Sequence, residues 1–280
     1  MPEDTGAASF TRRGGPTAVV RRLLRLVAAA LLLVVVAQGS ALAAPVSWDY
    51  VALGDSLATG FGALRGYVPR YEAYIETDTG AAVTLTNLGQ NGWTSSQLLW
   101  ALRNDPKFRR STSRAEVVTW DIGGNDLRAA RSSYKNRTCG GADNQDCLRA
   151  AVRGLKRNWD AITVEVLSLR STRNTIVRTM DIYNPYVKTD EASDTWQKDG
   201  GLNDFQVFKP YIDEVNRHIA ATSTANDIPY GRVYRAFNGA NGDEDPGAKG
   251  YLFIDGLHPN DTGHEVIATR MRKLGYAPLR

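Results

Sequence analysis

The chain has 280 residues, with 34 Lys and Arg against 30 Asp and Glu. Five Arg and two acidic residues fall within the first 43 positions, so the remainder holds 29 basic and 28 acidic residues. The apparent basic character therefore belongs mostly to the N-terminal segment. A nearly neutral remainder gives no argument for a nucleic-acid-binding protein or for one held on a membrane surface by charge.

The N-terminal segment has the three-part layout of a secretory signal. Basic residues that include Arg21, Arg22 and Arg25 precede an uncharged apolar run, Leu26–Ala37, and then the small-residue segment Ala41–Ala43. The apolar run is short for a transmembrane span, which needs about 20 residues, although an uncleaved anchor is the alternative. We expect residues 1–43 to be a signal peptide and residues 44–280 to form one exported domain.

The two cysteines of the chain, Cys139 and Cys147, lie close together in a polar loop. In an oxidising compartment such a pair is expected to form a disulfide. A metal site would need further ligands of the right kind nearby, and the sequence offers none. We predict a disulfide that pins this loop, and no metal.

Short apolar runs alternate with longer helical patterns, which favours a parallel sheet with helices on both faces. The candidate strands are Tyr50–Gly54, Val83–Leu88, Glu116–Ile122, Thr175–Ile182 and Arg232–Phe237.

Apolar residues at helical spacing mark three helices. The clearest stripe lies within 146–171, a second runs from Phe205 to Ile219, and a last helix starts near Asn260 and ends at Gly275. We expect the first two to cover the sheet and bind nothing. Two long loops, the cysteine loop and Asn184–Asn203, are candidate substrate walls or lids, and a purely structural role is the alternative.

A serine at the end of the first strand is a candidate nucleophile. Ser56 closes the segment Gly54–Ser56, directly after the apolar run Tyr50–Leu53. Backbone N–H groups at the start of the following helix or loop help to stabilise negative charge nearby. A lone Gly-Asp-Ser is otherwise a turn, and the chain has no G-x-S-x-G elbow, which argues against an ordinary α/β-hydrolase.

An Asp/His pair near the C-terminus supplies the partners that such a serine needs. Asp255 stands three residues before His258, and Pro259 restricts His258 to extended conformations. Asp255 can therefore reach Nδ1 of the imidazole, leaving Nε2 to take a proton from Ser56. The alternative is a turn histidine beside a capping Asp. The other two histidines, His218 and His264, fall within helical patterns and are expected to be partly exposed.

Two further segments, Asn87–Gly92 and Gly123–Asp126, lie between the serine and the Asp/His pair. The four segments, in this order and spacing, resemble the SGNH (GDSL-type) esterase/lipase family from Tyr50 to His258. Together with the alternating pattern, the resemblance implies a single three-layer α/β/α, flavodoxin-like domain with a parallel sheet of about five strands.

The resemblance also implies an oxyanion hole of three donors: the backbone N–H groups of Ser56 and Gly92 and the side-chain amide of Asn125. Gly92 matches the family better than Gly89, because the family's glycine usually lies five residues past the Asn that is Asn87 here. As an alternative, Asn125 could simply cap a helix, as Asp126 is expected to do. Trp93, next to Gly92, is a candidate wall of an acyl or alcohol pocket.

The function expected from these residues is secreted serine ester hydrolysis through an acyl-enzyme on Ser56. The substrate would be a small-molecule, lipid or acylated-carbohydrate ester, so a carbohydrate O-acetylesterase, a phospholipase or an acyltransferase are alternatives on the same machinery. A non-catalytic binding domain is disfavoured because all the catalytic residue types are present. We expect no cofactor, no nucleic-acid partner, no membrane anchor after signal cleavage, and a monomer.

Overall fold

A computed structural model describes residues 46–279. The predicted signal peptide, residues 1–43, lies outside the described residues and stays a prediction. None of the helices within residues 46–279 combines the length and the apolar character that a transmembrane span requires.

Five parallel strands form one sheet in the order β2-β1-β3-β4-β5. The strands are β1 Ser47–Leu53, β2 Ala82–Asn87, β3 Val117–Trp120, β4 Ile176–Met180 and β5 Tyr230–Gly231. Ten helices of the described chain come between the strands and after the last one: α1 Ser56–Thr59, α2 Tyr67–Thr79, α3 Ser95–Asn104, α4 Pro106–Arg114, α5 Gly124–Lys135, α6 Asp146–Leu169, α7 Val187–Glu191, α8 Asp204–Ala225, α9 Val233–Asn238 and α10 Asp261–Arg272.

The helices cover both faces of the sheet, which confirms the three-layer α/β/α prediction. In β1, Val51 and Leu53 pack with α3–α6 and α8, whereas Tyr50 and Ala52 pack with α1, α2, α9 and α10. Successive side chains of a strand point to opposite faces, so a strand buried on both faces is apolar throughout. The five described strands also match the predicted number.

One predicted strand is wrong. The segment Arg232–Phe237 is mostly helix α9, and β5 is only the two residues before it, Tyr230–Gly231. Val233 and Phe237 are fully buried and four residues apart, which is helical spacing. The carboxylate of Asp181 also accepts a hydrogen bond from the N–H of Tyr234 (2.7 Å), in the first turn of α9.

Because all five strands are parallel, their carboxyl ends meet at one edge of the sheet, where ligands of such folds bind. Ser56 follows β1, Asn125 follows β3, and the segment Asp181–Tyr186 follows β4 at this edge. Helix α10 begins at Asp261 and is capped by Asn260, whose side chain accepts from the N–H of Gly263 (3.0 Å). The loop that carries His258 therefore ends at a fixed helix start.

Candidate active site

Ser56 is the first residue of α1, three positions after the end of β1. Gly54 makes this sharp turn possible: its φ is +147°, and a Cβ there would lie 2.5 Å from the carbonyl oxygen of Asp121. Asp55 caps α1 by accepting a hydrogen bond from the N–H of Leu57 (2.9 Å). The serine side chain is thus held at a helix N-terminus, where the helix dipole favours negative charge.

Asp255 and His258 lie on a tight turn whose ends pair through a bridge between Leu252 and Pro259. Oδ1 of Asp255 accepts hydrogen bonds from the N–H groups of Leu257 (2.9 Å) and His258 (3.0 Å). Its other oxygen, Oδ2, lies 2.6 Å from Nδ1 of His258. The carboxylate therefore holds both the backbone of the turn and the imidazole ring.

The His258 ring bridges Asp255 and Ser56. Its Nε2 lies 2.9 Å from Oγ of Ser56, across 202 positions of sequence. Partial burial opposes ionisation of Asp255, but the hydrogen bonds from His258 and from the turn backbone lower its pKa below the ordinary value. An ionised Asp255 requires the proton on Nδ1, which leaves Nε2 to accept from the serine hydroxyl.

The three groups expected to form an oxyanion hole differ in how they are engaged. The N–H groups of Ser56 and Gly92 make no hydrogen bond to any residue within 46–279. The amide nitrogen of Asn125 donates to the carbonyl of Trp93 (2.9 Å) and to Oδ2 of Asp55 (3.2 Å). The amide is therefore aimed at the edge where Ser56 lies, and its weaker bond is the one to Asp55.

Neither polar residue of the Asn125–Asp126 pair caps its own helix. The N-cap of α5 is Gly123, with no side-chain cap bond. Asp126 instead accepts hydrogen bonds from the N–H (2.9 Å) and hydroxyl (2.6 Å) of Ser95, at the start of α3. The capping alternative for Asn125 is thus absent from this part of the structure, and Asp126 joins two helices.

A buried carboxylate pair, which the sequence analysis missed, lies behind the serine. Asp55 and Asp121 are 7% and 3% exposed, and the N–H of Asp55 approaches Oδ1 of Asp121 (3.4 Å). The hydroxyl of Tyr67 donates to the other oxygen of Asp121 (2.5 Å). Burial, the largest influence, raises the pKa of Asp55 to about 6 and that of Asp121 well above its usual value. A charged residue closing the apolar strand β3 was the available sequence signal.

The remaining histidines lie elsewhere. His264 is fully buried, so the expectation of partial exposure is wrong for it. Its Nδ1 accepts from the N–H of Tyr67 (3.1 Å), and burial lowers its pKa to about 4. His218 is partly exposed and pairs with Asp160 (2.7 Å). Neither ring is hydrogen-bonded to Ser56.

A cavity opens beside Ser56 and His258 and continues between the carboxyl ends of β3 and β4 and helix α8. Its inner walls are mainly apolar and include Ile122, Leu127, Ile182, Phe208 and Ile212. Pro185 and Tyr186 from the loop 184–203 line it as well. This loop therefore forms a wall of the cavity, which was one of the two roles predicted for it. The guanidinium of Arg131 fastens the loop through Asp190 (Nε to Oδ2, 2.8 Å).

Two other predicted wall segments do not line this cavity. Residues 138–147 form the cysteine loop, where Cys139 and Cys147 are joined by a disulfide as predicted, and none of them reaches the cavity. Trp93 stacks on Phe108 at a ring distance of 5.6 Å instead. Among residues 46–279 no group of three or more His, Cys, Asp or Glu is arranged to hold a metal ion.

Comparison with known proteins places the chain in a family. A model of the GDSL-like lipase/acylhydrolase family matches residues 52–266, a range that contains Ser56, Gly92, Asn125, Asp255 and His258. The chain belongs to this family. Membership confirms the expected SGNH (GDSL-type) identity and makes the protein a lipase/esterase-type hydrolase of ester bonds.

Individual proteins of known name resemble the chain over most of its length. A spore germination lipase of Bacillus licheniformis is 28% identical over 235 residues, covering 82% of this chain and 97% of the relative. The crystal structure of a lipase from a goat rumen metagenome is 26% identical with a TM-score of 0.68, covering 83% of this chain and all 100% of that one. An acetyl-xylooligosaccharide esterase of Geobacillus, 14% identical with a TM-score of 0.56 over 84% of this chain and 98% of its own, shares the fold.

Proposed function

We propose that the protein is an exported serine ester hydrolase in which Ser56 is the nucleophile, His258 the general base and Asp255 the residue that orients the base. One observation carries the proposal: Nε2 of His258 lies 2.9 Å from Oγ of Ser56 while its Nδ1 lies 2.6 Å from Asp255. Nucleophile, base and orienting carboxylate within hydrogen-bond reach are the arrangement that activates a serine.

The chemistry follows from these contacts. Oγ of Ser56 attacks the ester carbonyl carbon while Nε2 of His258 takes the hydroxyl proton. The tetrahedral intermediate expels the alcohol, which receives that proton from His258, and an acyl group stays on Ser56. A water molecule, deprotonated by His258 in turn, attacks the acyl-enzyme. The acid leaves as His258 returns the proton to Oγ of Ser56. Asp255 stays ionised throughout, and its low pKa supports that role.

The negative charge that develops on the carbonyl oxygen needs donors. The unengaged N–H groups of Ser56 and Gly92 and the amide of Asn125 are the groups proposed for it. A full negative charge on the substrate oxygen competes for the amide hydrogen now shared with Asp55 over the longer distance of 3.2 Å. Removal of one such donor usually costs about 10²–10³ in kcat.

The cavity favours a hydrocarbon acyl group over acetate. Its apolar inner walls, Phe208 and Ile212 of α8 among them, extend beyond the serine into the core. Burial of each additional methylene against such walls is worth about 0.8 kcal/mol. Two relatives above 25% identity are named as lipases, which supports the same substrate class for this chain.

The disulfide in the cysteine loop supports the proposal that the protein is exported. The layout of residues 1–43 is that of a signal peptide, and the disulfide between Cys139 and Cys147 forms stably in oxidising compartments. We expect N-terminal sequencing of protein recovered from the culture medium to begin at Ala44. Recovery of the full chain in the membrane fraction would favour the uncleaved anchor instead.

The test of the catalytic assignment is Ser56→Ala, assayed with p-nitrophenyl esters from acetate to palmitate. We expect turnover to be lost for every ester, and an organophosphonate to label Ser56 in the parent protein. Ser223→Ala, which alters another buried serine, is the matched control and should remain active. Retention of more than a few per cent of activity by a folded Ser56→Ala protein would contradict the proposal.

A further inference from the structure

Large apolar side chains are exposed on the two loops that flank His258. Leu64 is 100% and Ile254 89% exposed, and Phe61 and Phe253 are 45% and 39% exposed. We call these four residues the apolar rim. Single exposed apolar residues are ordinary, but a connected group of them on a folded domain marks an interaction surface.

The two loops of the apolar rim touch each other and His258. The ring of Phe61 lies 4.5 Å from the His258 ring. The N–H of Phe253 donates to the carbonyl of His258 (2.7 Å). A Cβ placed on Gly62 would lie 3.2 Å from the Cβ atoms of both Phe253 and His258. The two loops that carry the apolar rim therefore adjoin His258, which lines the cavity beside Ser56.

The rest of the structure holds the rim in place. The carboxylate of Asp261, at the start of α10, accepts hydrogen bonds from the N–H groups of Leu64 (3.0 Å) and Arg65 (3.1 Å). These bonds fix the backbone under Leu64 while its side chain stays in solvent. A hydrophobic side chain presented to water on an anchored loop gains free energy when it enters an apolar partner.

We propose that the apolar rim docks the protein on the surface of an aggregated lipid ester, from which a substrate molecule passes directly to Ser56. The inference rests on the proposed ester hydrolase function and adds to it the physical state of the substrate. Leu64 and Ile254 enter the hydrocarbon of the aggregate, as apolar side chains of interfacial proteins do, and the two Phe rings lie between it and His258.

Two features of the rim favour this partner. The ring of Phe61 touches His258. A folded protein or a second copy of this chain seated on that ring would cover the entrance that the ester must use. The most exposed members, Leu64 and Ile254, are aliphatic and have neither a flat face nor a hydrogen-bonding group for a sugar. Aliphatic side chains gain the most free energy when they leave water for a hydrocarbon environment.

The experiment compares one ester in two physical states. Hydrolysis of tributyrin is followed below and above its solubility limit, and the ratio of the emulsion rate to the monomer rate is the readout. The variants are Leu64→Gln, Ile254→Gln and the double variant, all made in the same full-length chain. We expect the ratio to fall by at least about tenfold in the double variant, since burying one such side chain fully is worth that factor.

Val164→Gln is the matched control. Val164 is 64% exposed on α6, near the helix end that leads to the amino end of β4, opposite the edge that carries Ser56. Its ratio should equal that of the parent. Sedimentation with tributyrin droplets of Ser56→Ala protein, with and without the rim substitutions, measures docking without turnover, so a failure of the catalytic assignment leaves this arm interpretable.

An unchanged ratio and unchanged droplet binding in the double variant would overturn the inference. So would a double variant that loses self-association in analytical ultracentrifugation while its ratio stays constant, since the rim would then join two copies. Loss of activity on soluble acetylated xylan with an unchanged tributyrin ratio would point to a sugar surface and would equally refute docking on lipid.

Discussion

Replacement of Asn125 by alanine separates a catalytic role for this amide from a structural one. The amide nitrogen donates to the carbonyl of Trp93 at 2.9 Å and to Asp55 at 3.2 Å, and both bonds are lost in Asn125→Ala. One neutral and one charge-assisted bond, partly exposed, together correspond to about 2 kcal/mol of stability. An oxyanion donor is worth about 10²–10³ in kcat, or about 3–4 kcal/mol of transition-state stabilisation.

These two effects appear in different measurements. We expect Asn125→Ala to lower kcat on p-nitrophenyl butyrate by about 10²–10³ with KM little changed, because the bond to the oxyanion strengthens only in the transition state. Urea unfolding of the same protein should show the smaller loss of stability. Asn125→Asp should also lose kcat, since its carboxylate would face both Asp55 and the developing negative charge.

Asn158→Ala is the matched control for this substitution. Asn158 also donates its amide to a partner at the helix junction, Oγ of Ser95 (2.9 Å), but it does not line the cavity. Its removal should cost stability of similar size and leave kcat of the folded protein within about threefold. A kcat of Asn125→Ala or Asn125→Asp within that same range would remove Asn125 from the mechanism.

Three further predictions follow from the surroundings of the site. Asp121→Asn should keep most activity, because burial raises the pKa of Asp121 and disfavours its charge, and the amide oxygen of Asn can still accept the hydrogen bond of Tyr67. Asp121→Leu should lose activity because that hydrogen bond is lost, and equal loss in both variants would contradict this reasoning. The pKa of His264 is about 4 in the folded protein against 6.5 in the unfolded chain, so the unfolded chain takes up the proton first as pH falls. About 3 kcal/mol of folding stability is therefore present above pH 6.5 and is lost towards pH 4. Urea titrations of His264→Gln at several pH values should lack this part of the acid dependence. The double variant Cys139→Ser/Cys147→Ser should unfold at a lower temperature, because it loses at most about 3 kcal/mol of stability, as expected for a closed loop with a sequence separation of 8. Its ester turnover when folded should stay near that of the parent. Loss of turnover at 25 °C without unfolding would show that the loop reaches the site.

Local patterns in the chain predicted the parts of this protein that depend on near neighbours. Asp255 and His258 are three residues apart, so a turn is enough to join them, and the structure has that contact at 2.6 Å. The apolar stripe from Phe205 to Ile219 correctly predicted α8, because an apolar repeat of 3.6 residues is visible in the sequence itself. The alternation of strands and helices likewise sufficed for the parallel three-layer fold.

Only the tertiary structure decided the features that join distant segments. Ser56 meets His258 across 202 positions because parallel strands place their carboxyl ends at one edge. Arg232–Phe237 forms a helix because the side chain of Asp181, far away in sequence, accepts a hydrogen bond from its first turn and because its apolar face packs in the core. The burial of His264, the pairing of Asp55 with Asp121 and the exposure of Leu64 and Ile254 all depend on what packs against each residue. Burial and long-range hydrogen bonds depend on residues that are distant in sequence and adjacent only in the folded protein, so residue type and local spacing do not predict them.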